Sequence, residues 1–344
     1  EGRAAKWHTR DVFQGLEKRA IQVPSCWEEI EKDYEGVATY GRTFEFSSDW
    51  KGKTVRLQFD AVNYIAEVWL NDHCVGRHEG GYGPFEFRVD DLLNYDGDNF
   101  LSLRVLGPIV HTAQVIDGVG PNDMPHWRGA IAGGIWQSVR LVASGQVVVD
   151  DLFVIPQLED DTARVQLRLD NTSSKSGVRE VALSISNEGR IVAEHSETIS
   201  LKPGKNSAEC VLKIPDARRW SPAEPNLYTL TVEIVGSDEE RIRFGMRELT
   251  IRNNRFALNG KPTYIKAAFF EGLYPNKLAL PDNLEMARRE IRLAKEAGFN
   301  MIRPWRKPPP PAWLDLCDEM GVMVVGGFAI ECMNNWPTVT PHLR

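Results

Sequence analysis

Residues 283–303 read NLEMARREIRLAKEAGFNMIR. Apolar side chains recur at Leu284, Ala287, Ile291, Ala294 and Ala297, the period of an amphipathic helix over 283–297. FNMIR (299–303) then reads as a short strand. Upstream, FALNGKPTYIK (256–266) predicts a hairpin arm running into a strand. Downstream, residues 312–320 predict a second helix and GVMVV (321–325) a third strand. Strand, helix, strand, helix, strand is the repeating unit of a parallel barrel or a doubly wound sheet. A closed eight-unit barrel takes about 250 residues. Only about three units fit after residue 247, so the expectation is the first units of a (β/α)8 barrel, incomplete. An open parallel edge at 322–325 would need cover from the rest of the protein or from another copy.

The preceding residues are mainly β. GRTFEF (41–46), TVRLQF (54–59), NYIAEVWL (63–70), FEFRV (85–89), FLSLRV (100–105) and IWQSVRLV (135–142) form an evenly spaced series with Gly and Asp turns. That pattern predicts a β-sandwich over 1–145. A second series, ARVQLRL (163–169), EVALSIS (180–186), AECVLKI (208–214), YTLTVEIV (228–235) and 241–244, predicts an immunoglobulin-like sandwich over 146–246. The linker between them is too short to be free. Between Leu106 and Gly134 little pattern is visible, and such stretches are usually functional or mobile.

Composition is that of an ordinary globular chain, with 344 residues, 42% hydrophobic and 26% charged. A net charge of −7 argues against nucleic acid or an anionic membrane as partner. No apolar run approaches the roughly 20 residues of a membrane span. Residues 1–10 lack the apolar core of a signal peptide, which leaves cytoplasm and periplasm both open. Five scattered cysteines without a CxxC point to buried thiols rather than zinc or disulfides. His8, His73, His78, His111 and His195 have no metal-ligand spacing, and Glu28-Glu29 and Glu239-Glu240 read as charged surface. No cofactor and no metal are expected. Ten tryptophans suit core packing and also the apolar faces of sugars.

Several motifs in this order resemble glycoside hydrolase family two, the group of β-galactosidases, β-glucuronidases and β-mannosidases. They are Tyr40-Gly41-Arg42-Thr43-Phe44, Val68-Trp69-Leu70-Asn71, Gly80-Gly81-Tyr82-Gly83-Pro84-Phe85 and Gly134-Ile135-Trp136 in the first part. Trp220-Ser221-Pro222 and Asn226-Leu227-Tyr228 follow, then Phe244-Gly245-Met246-Arg247, Leu258-Asn259-Gly260-Lys261-Pro262, Ala297-Gly298-Phe299-Asn300-Met301-Ile302-Arg303 and Leu316-Cys317-Asp318-Glu319-Met320-Gly321. The resemblance implies a jelly-roll sugar-binding domain (1–145), an immunoglobulin-like domain (146–246) and the start of a catalytic barrel (247–344). It implies a carbohydrate substrate and retaining hydrolysis of β-glycosidic bonds by two glutamates about 5–5.5 Å apart. In the family these follow barrel strands four and seven, so no catalytic acid or nucleophile is assigned within this chain, which is expected to be inactive alone.

The resemblance assigns supporting roles instead. Arg303 matches an arginine that orients the nucleophile, or it is a local strand-end ion pair. Glu331 matches a glutamate after strand three, or a solvated loop acid. Asp123 matches a substrate-contacting acid on a loop that reaches the barrel mouth, or belongs to a loop tying two sandwiches. Departures cluster after the strands, at Lys266-Ala267-Ala268-Phe269-Phe270-Glu271, at Pro304-Trp305-Arg306-Lys307 and at Gly326-Gly327-Phe328-Ala329. They imply an altered sugar subsite in which Trp305, Arg306, Phe269, Phe270 and Trp336 give a more aromatic, partly cationic lining, with Glu271 a further candidate substrate contact. Plain packing explains the same residues. A non-catalytic carbohydrate-binding module or a structural brace, with or without homo-oligomer formation, is the alternative reading.

Overall fold

The structure is a computed structural model that describes residues 2–121, 123–124, 132–305 and 307–326. The first sandwich comprises β1 (Val37–Phe44), β2 (Thr54–Phe59), β3 (Ile65–Leu70), β4 (His73–Glu79), β5 (Phe85–Arg88), β6 (Asn99–Leu106) and β7 (Val139–Ser144). Two antiparallel sheets, β1-β6-β3-β4 and β5-β2-β7, enclose Val55, Phe59, Val68, Leu70, Leu103 and Val105. The strand β6 is buried almost throughout instead of alternating. Its outer face is covered by the first residues of the chain and the short helix α1 (Arg10–Gly15). Phe13 packs on Phe100, His8 stacks on Trp69 at 4.6 Å, and Ser102 Oγ donates to the His8 carbonyl at 2.7 Å. A strand covered on both faces loses its polar side, so the alternation that exposes a strand in sequence disappears.

The stretch after Leu106 is not patternless. The Glu35 carboxylate accepts the backbone N–H groups of Val110, His111 and Thr112 at 2.7–3.1 Å. Asp117 pairs with Arg104 at 2.6 Å, and Ile109 and Met124 are buried with Tyr64 and Leu106. These anchors are side-chain contacts far apart in sequence, which no local pattern reports.

The second sandwich comprises β8 (Val147–Gln157), β9 (Thr162–Asn171), β10 (Gly177–Asn187), β11 (Arg190–Leu201), β12 (Gly204–Lys213), β13 (Tyr228–Ile234) and β14 (Asp238–Phe244). Sheets β11-β10-β13-β14 and β12-β9-β8 give the four-plus-three arrangement of immunoglobulin-like domains. Val165, Leu167, Leu169, Val181, Leu183, Ile185, Leu230, Val232 and Ile234 fill the space between them. The two sandwiches meet directly. Arg56 is buried although it lies on a strand, because it pairs with Glu86 at 3.3 Å and approaches Asp238 of the second sandwich at 3.8 Å. Thr54 and Thr172 share a hydroxyl hydrogen bond of 2.8 Å, and Gly145 N donates to the Ser237 carbonyl at 2.6 Å.

A small meander follows, of β15 (Leu249–Arg252), β16 (Arg255–Leu258) and β17 (Lys261–Pro262). Asn259 and Gly260, with φ of 52° and 77°, form the tight turn between the last two. The parallel sheet then runs β18 (Ala267–Phe270), α2 (Leu284–Glu296), β19 (Met301–Pro304), α3 (Pro311–Met320) and β20 (Met323–Val324), with strand order β18-β19-β20. Its first strand begins at Ala267, one residue after the 256–266 segment expected to carry it. Helix α2 starts where Asn283 Oδ1 caps Met286 N at 2.9 Å. Helix α3 ends on Gly321, whose φ of 71° suits a left-handed C-terminal cap. Ala287 and Ile291 of α2 pack with Trp313, Leu316 and Cys317 of α3 against Ile302. Leu284, expected on the same apolar stripe, is 56% exposed. No helix among the described residues is long and apolar enough to cross a membrane.

Candidate functional site

Alternation along β19 decides which side chains reach the inner side of the parallel sheet. Ile302 and its neighbour Phe270 on β18 pack into the helix layer, where Phe270 stacks on Trp313 at 4.8 Å. Successive residues point to opposite faces, so Arg303 and its register partner Phe269 lie on the face away from the helices. Both are exposed. The Arg303 guanidinium sits 5.0 Å from the centre of the Trp305 ring, and Phe269 approaches the same ring at 5.0 Å. The structure therefore brings Arg303, Trp305 and Phe269 together at the C-terminal ends of the strands, where barrel enzymes keep their chemistry. Among the described residues no carboxylate pairs with Arg303, so the strand-end ion-pair reading finds no partner there.

Glu271 follows β18 directly and lines a hollow with Tyr274, Lys307 and Trp313. The Asp123 carboxylate accepts Gly120 N at 2.7 Å and so closes a turn in its own loop. Glu331 lies outside the described residues, as do Asn122, His126, Trp127, Arg128, Arg306 and Trp336.

Two ionisable groups are more buried than their sequence context suggests. Lys307 is 4% exposed, with Nζ donating to the carbonyls of Gly272 at 3.2 Å and Ala279 at 2.5 Å and lying 5.6 Å from the centre of the Trp136 ring. A lysine before four prolines reads as solvated loop, and only the fold shows that the first sandwich covers it. Glu28 is half-buried rather than open surface, and its Oε1 accepts Gly133 N at 2.8 Å. Its neighbour Glu29 does stay exposed, where its side chain caps Cys26 N.

Burial pushes the Glu28 carboxyl up to about 7 from 4.5, and the Lys307 ammonium down to about 7 from 10.5. Folded Glu28 holds a proton that the unfolded chain releases between pH 4.5 and 7. The stability it contributes is therefore full below that window and lost as pH rises through it. For Lys307 the unfolded chain holds the extra proton between pH 7 and 10.5, so stability rises with pH across that window. Their joint contribution is lowest near neutrality. Urea midpoints measured from pH 7 to 9 should climb less in Lys307→Met than in the wild type, and an unchanged climb would place the titration on another group.

Comparison with known proteins follows the same division of the chain. The sequence model for the family 2 glycosyl hydrolase sugar-binding domain matches residues 28–144, and the model named for glycosyl hydrolases family 2 matches residues 147–247. The chain belongs to glycosyl hydrolase family 2. Among curated relatives, a β-galactosidase of Thermoanaerobacter pseudethanolicus is 27% identical over 324 residues, covering 90% of this chain and 42% of that protein. Beta-galactosidase 2 of Enterobacter cloacae is 29% identical over 311 residues, covering 85% of this chain and 29% of its own length. Of solved structures, a Bacteroides uniformis β-glucuronidase superposes with a TM-score of 0.72 at 27% identity, over 89% of this chain and 38% of that one. The chain thus spans less than half the length of these curated relatives.

Proposed function

We propose that this chain is the N-terminal part of a retaining β-glycosidase that cleaves O-glycosidic bonds of oligo- or polysaccharides. The observation that carries the reading is the order of parts. Two stacked sandwiches lead into parallel β/α units that deliver Arg303 to the strand ends. We assign residues 1–145 to a jelly-roll sugar-binding domain, 146–246 to an immunoglobulin-like domain and 247–344 to the start of the barrel. Separate apolar cores on either side of Ser144–Val147 support the first boundary.

In this reading one glutamate protonates the leaving oxygen and the other attacks the anomeric carbon, and water releases the glycosyl-enzyme. Both belong to strands four and seven of the complete barrel, and this chain supplies the surroundings. Arg303 offers a planar, fixed cation that holds the nucleophilic carboxylate ionised and aimed. Trp305 and Phe269 offer apolar faces to a sugar ring, and the adjacent cation favours an acidic sugar, in keeping with the β-glucuronidases among the relatives. Asp123 and Glu331 remain proposed substrate contacts from their family positions, and Glu271 from its place directly after β18.

The non-catalytic binding reading has less support. Among the described residues Trp27, Trp136, Trp220 and Trp313 are buried, so these four serve packing and not an open sugar platform. Arg303→Ala in the whole enzyme tests the proposal. Loss of charge-assisted hydrogen bonds of about 1.5–3 kcal/mol lowers kcat about 10- to 100-fold, with the melting temperature little changed because the side chain is exposed. Activity within a few-fold of wild type would remove Arg303 from the mechanism.

A further inference from the structure

The strand β11 is the edge of one sheet of the second sandwich, and β12 is the edge of the other. Directly paired residues on neighbouring strands share a face. His195 pairs with Leu183 and Glu197 with Val181, both core residues, and Cys210 of β12 pairs with core Val165. All three side chains therefore point inward at the open edge between the sheets. Their neighbours in the same inward series are Ala193 and Ile199 on one strand and Ala208 and Leu212 on the other. A histidine and a glutamate in an otherwise apolar row need a reason.

Their donor atoms converge. Cys210 Sγ lies 2.8 Å from Glu197 Oε1, His195 Nε2 lies 3.9 Å from Glu197 Oε2, and one donor from each residue falls within 4.8 Å of the others. Zinc bond lengths of about 2.0–2.3 Å place tetrahedral donors roughly 3.3–3.6 Å apart, so small side-chain rotations complete the geometry. We propose that His195, Glu197 and Cys210 form a zinc site that clips the two edge strands together, with solvent as the fourth ligand. Nitrogen, oxygen and sulfur donors together suit zinc better than magnesium or calcium, which take oxygen. The side chains of His195 and Glu197 are 39% and 38% exposed, which leaves an entry path for the ion. Burial, then the hydrogen bond to Glu197, pushes the Cys210 thiol up to about 12, so binding at neutral pH displaces the thiol proton to solvent as the sulfur–zinc bond forms. The sequence offered no spacing signal, because the three ligands come from two strands joined by a turn. The inference stands independently of the proposed glycosidase activity.

The untagged full chain, stripped with chelator, would be titrated with Zn2+ and separately with Co2+. The expected results are one ion per chain, a near-ultraviolet thiolate-to-cobalt band and a higher melting temperature with zinc. Cys210→Ser should abolish the band. His195→Ala, at the exposed edge, should weaken zinc binding ~10-fold or more while circular dichroism stays unchanged. Cys74→Ser, beside His73 on the first sandwich, should leave binding intact. Absence of zinc uptake, or uptake unchanged in both His195→Ala and Cys210→Ser, would overturn the site and leave the inward polar residues as protection against edge-to-edge pairing.

Discussion

Incubated with nitrophenyl β-glycosides, this chain by itself is expected to release no nitrophenol. Retaining hydrolysis needs two carboxylates about 5–5.5 Å apart across the scissile bond. The three parallel strands described carry Arg303 and are followed by Glu271, but the proposal places both catalytic glutamates on strands four and seven. An arginine and an aromatic wall stabilise a transition state only when a nucleophile is present, so the expected effect is complete loss rather than slow turnover. The measurement is nitrophenol release across galactoside, glucuronide and mannoside, compared with buffer. Turnover that follows the chain through purification and disappears in Glu271→Gln would move the chemistry into this chain and end the assignment.

The largest stability effect is expected at Trp220. Its ring is 1% exposed and packs with Met301 and Met323 at the N-terminal ends of two parallel strands. Its Nε1 donates to the Asp318 carbonyl at 2.9 Å, its own carbonyl accepts Asn259 Nδ2 at 2.9 Å, and the Arg247 guanidinium lies 5.0 Å from the ring centre. One residue thus joins the second sandwich, the meander and the β/α units, the last through its side chain. Trp220→Ala removes that packing at a cost of about 3–5 kcal/mol. Trp220→Phe keeps much of the volume and leaves the Asp318 carbonyl without its donor, a smaller loss of about 1–3 kcal/mol. Urea unfolding gives the magnitudes. Limited proteolysis should show cleavage after residue 247 rising first in Trp220→Ala, and equal resistance in all three proteins would show that Trp220 does not couple the parts.

Much of the architecture was legible because the decisive patterns are local. Helix α2 announces itself through the spacing of Ala287 and Ile291, and most strands of the second sandwich through alternation such as that of ARVQLRL. What stayed hidden depends on contacts distant in sequence. The strand β11 was not expected, because His195 and Glu197 interrupt its apolar series. The burial of Arg56 rests on Glu86 and on Asp238 of the other sandwich, both distant in sequence. Of the site, Arg303 was legible as a charge ending an apolar strand. Lys307 was not, since its burial is created by the meeting of the first sandwich with the β/α units, and Glu28 read as charged surface although Gly133, distant in sequence, donates to it. Leu284 reads as core by period and yet lies exposed in the structure.

That meeting has a practical corollary for anyone building hybrids within the family. The segment after β18 lays Leu278, Ala279 and Leu280 against Cys26, Ala61 and Trp136 of the first sandwich, and Lys307 reaches Trp136 from beneath. The first sandwich is therefore a wall of the β/α units, not a detachable accessory. A graft that exchanged residues 1–145 for those of a relative would strand a buried amine against a foreign surface. Successful chimeras should recut residues 271–283 and 307 along with the module, treating the interface as the heritable unit.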